Sequence, residues 1–403
     1  MNRREFLQAV GGTAYAGGMA ALIENEALAS ATGVTKGVTM TDPNDAAEVF
    51  HRCDRWLTEH GPVRPHAELA ELVRETAPDQ KRDHYGRGDL IEEFEAEVAR
   101  LLGKEAALFF ISGTMAQQIG LRVWSERKGR AIVAMHPLCH PLLYEAQAMP
   151  LLHGLRPTPL GETHRLLTLG DLKSYEHVSE PLLALFLELP QRELGGQLPP
   201  WDELKAQTDW ARGRGAVAHL DGARLWESAP FYRRSYAEIA GLFDTVYVSM
   251  YKGMGGIAGC CLAGPKDVIG EARMWRLRHG GRLVHMYPYV LSARLKLRQQ
   301  LPRFLHYHER AKQIAKVLSA VPGVTVKPDP PQAHMMFVYL KGDRGRMEDA
   351  ALEIARRDGL RLFETLGGTE LPGHWKFEIQ VGDGADAVPD AEIKRHFERI
   401  VAA

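Results

Sequence analysis

The chain predicts an α/β fold: a large domain with a mostly parallel sheet, followed by a smaller C-terminal α+β domain. Three observations carry that prediction. Short apolar runs bounded by turn residues, "EAALFFISG", "GRAIVAM", "LLALFLEL", "AVAHLD" and "DTVYVSM", have the length and composition of buried strands. Amphipathic stretches separate them, as "WDELKAQTDWARGRG" separates "LLALFLEL" from "AVAHLD", and helical crossovers imply parallel pairing. From about Ser292 the texture changes, and "AHMMFVYL" and "HWKFEIQVG" read as strands beside two helices.

Taken in order, residues 1–31 carry the paired Arg3 and Arg4, a Gly- and Ala-rich apolar stretch, and small residues from Ala27 to Ala31. This is the pattern of a twin-arginine export signal, and it predicts an exported, periplasmic protein. Its apolar part is too short and too glycine-rich to span a bilayer, which takes about 20 apolar residues, and no membrane span is expected elsewhere. Residues 32–290 form the N-terminal segment and large domain. There "AELAELVRETA" and "LIEEFEAEVARLLG" have helical spacing, "EAALFFISG" leads into a helix from about Met115, one βαβ unit ends at Asp221, and "RSYAEIAGLF" precedes a strand ending near Lys252. Residues 291–403 form the small domain, opened by one long charged helix, "ARLKLRQQLPRFLHYHERAKQIAKVLSAV", and closed by "PDAEIKRHFERIVAA".

Composition narrows the function. With 403 residues, 45% hydrophobic and 25% charged, the chain is an ordinary globular protein rather than a disordered one. A formal net charge of −1 and no sustained basic run leave no electrostatic footprint for nucleic acid, so a small-molecule partner is expected. The four cysteines, Cys53, Cys139, Cys260 and Cys261, are too few and too irregular for a disulfide framework, and Cys260 and Cys261 sit in an apolar strand-like run as core residues do. His136, Cys139 and His140 in "AMHPLCHPLL" have metal-ligand spacing, but Pro137 and Pro141 argue against the helix that would align the two imidazoles, and no acidic partner follows at metal-site spacing. No metal is expected.

Two strand-like runs stop at charged residues: Asp221 in "HLDGARLWES" and Lys252 in "VSMYKGMGGIAGCCLAG". Open α/β sheets hold ligands at their strand ends. A lysine there can bond an aldehyde cofactor, and pyridoxal phosphate is the one that also requires a carboxylate against its ring nitrogen, which Asp221 supplies. The cofactor's phosphate needs a cup, and "FFISGTMAQQ" provides a strand, then Ser112, Gly113 and Thr114, then a helix whose N-terminus favours an anion.

These segments resemble the threonine aldolase and β-eliminating lyase family, fold-type-I pyridoxal-phosphate enzymes, from about Tyr85 to the C-terminus. The matching stretches are "YGRGDLIEEFEAEVARLLGKEAALFFISGTMAQQ", "HPLLYEAQA", "HLDGARLWESA" and "VSMYKGMGG". The resemblance implies that Lys252 is the cofactor-bonding lysine and Asp221 the ring-nitrogen partner, that Arg224 lies near the phenolic oxygen, and that Gly113 and Thr114 hold the phosphate. It implies that His140 stacks on the ring and assists proton removal from a substrate hydroxyl, and that Tyr85 approaches from a neighbouring subunit of a homodimer or homotetramer. The implied reaction is retro-aldol cleavage of a β-hydroxy-α-amino acid to glycine and an aldehyde.

Two stretches depart from the family pattern. In "LELPQRELGGQLP" Arg192 is displaced by one position and Glu193 stands where arginine is expected, and in "HGGRLVHMYP" Val284 occupies a position of a carboxylate-binding arginine. Arg192 and Arg282 are therefore the candidates for the substrate carboxylate. The alternatives are another amino-acid reaction of the same cofactor (β-elimination, racemisation or transamination) or a non-catalytic homologue that kept the fold.

Overall fold

The computed structural model describes residues 43–403, of which Asn44–Ala403 form one compact unit. The export segment expected at residues 1–31 lies outside the described residues.

Seven strands make the main sheet: β1 (Ala106–Phe110), β2 (Ile132–Met135), β3 (Arg156–Pro159), β4 (Leu182–Glu188), β5 (Val217–Gly222), β6 (Thr245–Ser249) and β7 (Cys260–Gly264). Their spatial order is β1-β7-β6-β5-β4-β2-β3. Every residue of β5 and β6 is buried, which is why these runs are apolar throughout rather than alternating: helices cover both faces. The pairs from β6 to β3 are parallel, as expected, whereas β7 runs antiparallel to both β6 and β1. A short return from β6 through the glycine-rich turn after Lys252 makes that reversal possible without a crossover helix.

Because β7 reverses between them, β1, β4, β5 and β6 all end at one edge of the sheet. Helix α1 (Asp89–Leu101) precedes β1, and α2 (Gly113–Lys128) follows it, starting two residues earlier than the sequence predicts. Strand β3, "RPTP", was not legible as a strand; its two prolines are tolerated because it lies at the sheet edge.

The C-terminal part holds a four-stranded antiparallel sheet of β8 (Val324–Lys327), β9 (Met335–Lys341), β10 (Gly367–Gly368) and β11 (His374–Gln380), in the order β10-β11-β9-β8. The long helix expected from Ser292 is two helices, Tyr287–Gln300 and Phe304–Ser319, separated by a tight turn at Leu301–Arg303. Pro302 lacks the N–H that a continuous helix needs there. The boundary expected at 290/291 thus falls inside the first of these helices. The segment before β1 also packs against the C-terminal part: Arg55–Trp56 pairs in parallel with Leu360–Arg361, and the Cys53 thiol meets the Ala355 carbonyl. One apolar cluster joins both sheets, from Leu185, Leu220 and Val248 through Phe304 and Ile314 to Val338, Ile379 and Phe397.

Candidate active site

Asp221 leaves β5 buried, 2% exposed, in register opposite Glu188 at the end of β4. Its Oδ1 accepts from the Ala223 N–H (3.0 Å) and its Oδ2 from Gln117 Nε2 (3.1 Å). Two donors on a buried carboxylate hold it in one orientation and offset part of its desolvation. Gln117 stands one turn into α2, so the helix that begins at "SGT" also locks the carboxylate in place.

 Lys252 follows β6 by three residues, and its backbone N–H meets Ser249 Oγ at 3.3 Å. Burial depresses its ammonium below the ordinary lysine range, and the positive charge of Arg224 adds to this, while Asp221 and Glu188 pull the other way. A lysine held closer to its neutral form is a better nucleophile. The residue after it must be glycine: a Cβ on Gly253 would lie 2.6 Å from Glu227 Oε1. The His60 Nε2–H donates to the Gly253 carbonyl (2.9 Å), and its Nδ1 faces Asp383 Oδ2 at 3.3 Å, so the Lys252 turn is pinned from the C-terminal side.

At the N-terminus of α2 the Ser112 hydroxyl makes no capping bond, and no acidic residue stands in the first turn. The first N–H groups of the helix therefore point outward as anion donors. Gly113 is required by its neighbour in β6, since a Cβ there would sit 2.1 Å from the buried Tyr247 hydroxyl. Thr114 is half-buried on the same turn.

His140 opens a short helix, His140–Tyr144, with Pro141 in its first turn, where no N–H is needed; His136 lies ahead of it, so no helix aligns the two imidazoles. The ring Nδ1 lies 3.3 Å from Glu145 Oε1, and the buried Glu145 accepts from Gln118 Nε2 (3.0 Å) through its other oxygen. That orientation leaves Nε2 without a protein partner among the described residues. His136 is not part of this group: its Nε2 meets the carbonyls of Glu162 and Arg165, and its Nδ1 accepts from the Leu138 N–H. Cys139 is fully buried, which pushes its thiol well above the ordinary range.

Two residues that the sequence reading missed tie the site together. Gln117 orients Asp221, and Glu188 accepts from the N–H groups of His140 (3.3 Å) and Arg192 (3.1 Å) and from Gln191 Nε2 (3.2 Å). Burial first, and then the charge of Asp221, push the Glu188 carboxyl up to about 7. A glutamate closing an apolar strand was the available signal; its register opposite Asp221 was not.

Arg224 is buried and lines a cavity of about 450 Å³ together with Lys252, Tyr251, His60 and His334. Arg192 lines an adjoining cleft of about 710 Å³ and is held by Glu193 Oε1 (3.1 Å) and Glu378 Oε2 (2.9 Å). Tyr85 and Arg282 are brought to each other, the guanidinium 5.3 Å from the ring centre, but they line neither space. Within one chain they are not part of the Lys252 site.

The arrangement fits pyridoxal phosphate at each end. A depressed amine is available for the aldehyde, a fixed buried carboxylate for the ring nitrogen and an uncapped helix N-terminus for the phosphate, while the buried Arg224 Nε and Gln117 Oε1 have no hydrogen-bond partner among the described residues. An α/β sheet presenting these groups at one edge defines a fold-type-I pyridoxal-phosphate enzyme.

The chain belongs to the beta-eliminating lyase family, whose sequence model matches residues 68–341. It is 38% identical to a structure from Listeria monocytogenes EGD-E described as an L-allo-threonine aldolase, with a TM-score of 0.84 over 89% of this chain and 99% of that one. A structure from Exiguobacterium sp. 255-15, described as an aromatic amino acid beta-eliminating lyase/threonine aldolase, is 37% identical with a TM-score of 0.83 over the same shares. Aldolase vrtJ of Penicillium aethiopicum is 30% identical over 295 residues, 70% of this chain and 72% of the relative.

Proposed function

We propose that this chain is a pyridoxal-phosphate-dependent carbon–carbon lyase that cleaves a β-hydroxy-α-amino acid to glycine and an aldehyde. The observation that carries the reading is the His140–Glu145 pair beside the Lys252 and Asp221 site: a buried carboxylate orients one ring nitrogen and leaves the other to take a hydroxyl proton. The bound cofactor supplies an aldehyde carbon that bonds amines and a protonated ring that draws electrons from the substrate's α-carbon. Lys252 holds the cofactor, Asp221 keeps the ring nitrogen protonated, and Ser112, Gly113 and Thr114 receive the phosphate. Arg224 faces the phenolic oxygen, and Arg192 is the candidate for the substrate carboxylate. Tyr85 and Arg282 serve a partner's site in a homodimer or homotetramer.

Replacement of His140 tests the reading. A positioned general base contributes typically 10²–10⁴-fold. His140→Ala is expected to slow cleavage by about that factor while glycine still binds. Unchanged cleavage in His140→Ala would remove His140 from the reaction. We also propose twin-arginine export on Arg3 and Arg4; replacing both with lysine is expected to leave folded protein in the cytoplasm.

A further inference from the structure

Arg192, the candidate for the substrate carboxylate, already holds two of the chain's own carboxylates. Arg192 is two-thirds buried by its surroundings, with Nε 2.9 Å from Glu378 Oε2 and Nη1 3.1 Å from Glu193 Oε1. Glu193 has a second, neutral partner, since it accepts from the Tyr144 hydroxyl at 2.8 Å. Glu378 comes from β11 of the C-terminal sheet, nearly two hundred residues further along the chain, and its side chain is 14% exposed. Glu378 stands between Arg192 and Arg224, its other oxygen 4.0 Å from Arg224 Nη2, and Arg224 lines the cavity that holds Lys252, so Arg192 adjoins the space in which an amino acid bonded through its nitrogen would present its α-carboxylate.

We propose that Glu378 is a built-in carboxylate that occupies Arg192 in the free enzyme and is displaced by the α-carboxylate of the substrate, so that Glu378 sets how tightly amino acids bind. This rests on the reading of the ligand as an α-amino acid, but not on which bond is broken. Exchange of one carboxylate for another at a guanidinium conserves charge at Arg192. The displaced Glu378 must not be stranded, because a buried unpaired charge is costly. The structure supplies its second partners: Gln380 Nε2 donates to Glu378 Oε1, and Arg224 Nη2 stands 4.0 Å from that same oxygen, with the Arg224 Nε free of any hydrogen bond among the described residues. Glu378 thus has somewhere to lean when Arg192 is taken. The competition weakens the binding of every α-amino acid and leaves amines that lack a carboxylate unaffected.

Calorimetric titration of glycine into the cofactor-loaded protein reads this directly. Glu378→Gln removes the competing charge while keeping the side chain's shape and its hydrogen bond to Gln380. The glycine Kd is expected to fall about tenfold, the scale of one partly buried charge-assisted bond at about 1.4 kcal/mol per decade. The gain is expected to vanish in an Arg192→Gln background, where no guanidinium remains to be freed. Glu378→Asp keeps the charge but is one methylene short of the 2.9 Å contact, and it is expected to give an intermediate Kd. An unchanged or weaker glycine Kd in Glu378→Gln, with far-UV circular dichroism and cofactor content as in the wild type, would overturn the proposal, as would a gain that survives in the Arg192→Gln background. Should Glu378→Gln tighten glycine while no β-hydroxy amino acid is cleaved by the wild type, the displacement stands and the aldolase reading falls.

Discussion

Asp221→Asn separates the chemistry of the site from its architecture. Asn matches Asp in volume, so packing around a 2%-exposed position is kept. Its amide oxygen can still accept from the Ala223 N–H, now 3.0 Å from Oδ1, while its NH2 would face Gln117 Nε2, a donor, at 3.1 Å. Gln117 resolves that conflict by turning its own amide over, since its Oε1 has no partner to lose among the described residues. The cost to stability should therefore stay below about 1.5 kcal/mol, a few degrees in Tm at most. The charge, by contrast, is gone. Removing one partner of a buried ion pair costs about 3–5 kcal/mol, and if that is felt in the transition state the rate falls by about 10²–10⁴-fold. The assay is kcat/KM for amino-acid cleavage beside thermal melting and borohydride labelling of the cofactor. Retained activity within a few-fold, with the cofactor bound, would refute Asp221 as the ring-nitrogen partner; a collapse of Tm would show that its role is architectural.

Borohydride reduction of the yellow protein is expected to fix a pyridoxyl group on Lys252, read by peptide mass, and Lys252→Ala should take no label; label on another lysine would move the site. In the cofactor-free protein Glu188, raised to about 7 chiefly by burial and then by Asp221, binds its proton more tightly folded than unfolded. Its contribution is fully present below the ordinary carboxylate range and is lost as pH rises through about 7, a span worth about 3 kcal/mol at 1.36 kcal/mol per unit. Glu188→Gln should accordingly flatten the pH dependence of urea stability between pH 4.5 and 7, and an unchanged slope would contradict the assignment. Mixing inactive Tyr85→Ala with inactive Lys252→Ala under subunit exchange should restore part of the activity if Tyr85 completes a partner's site; no recovery would place Tyr85 elsewhere.

How much of this was legible in the sequence depended on how local each signal is. Lys252 and Asp221 stood out because each ends an apolar strand within a few residues, and Ser112, Gly113 and Thr114 because a strand, a turn and a helix start follow one another directly. The reason for Gly113 was not legible: it lies in the Tyr247 hydroxyl, from a strand that neighbours α2 only in three dimensions. Glu188 ends a strand in the same way as Asp221, but its importance comes from register. Glu378 could not be connected to Arg192 at all, since nothing in "HWKFEIQVG" announces which guanidinium its alternate face will meet. The antiparallel β7 was hidden for a related reason. A strand that returns through a glycine-rich turn has the same buried composition as one that returns through a helix.

The central claim is that a Cα–Cβ bond is broken, and product analysis tests it most directly. Wild-type protein incubated in deuterated water with a panel of β-hydroxy-α-amino acids is expected to release glycine and the matching aldehyde, identified by mass, from at least one of them. Exchange of the α-hydrogen of ordinary amino acids for deuterium, with no glycine and no aldehyde from any member of the panel, would contradict the account and assign the Lys252 site to chemistry at the Cα–H bond instead.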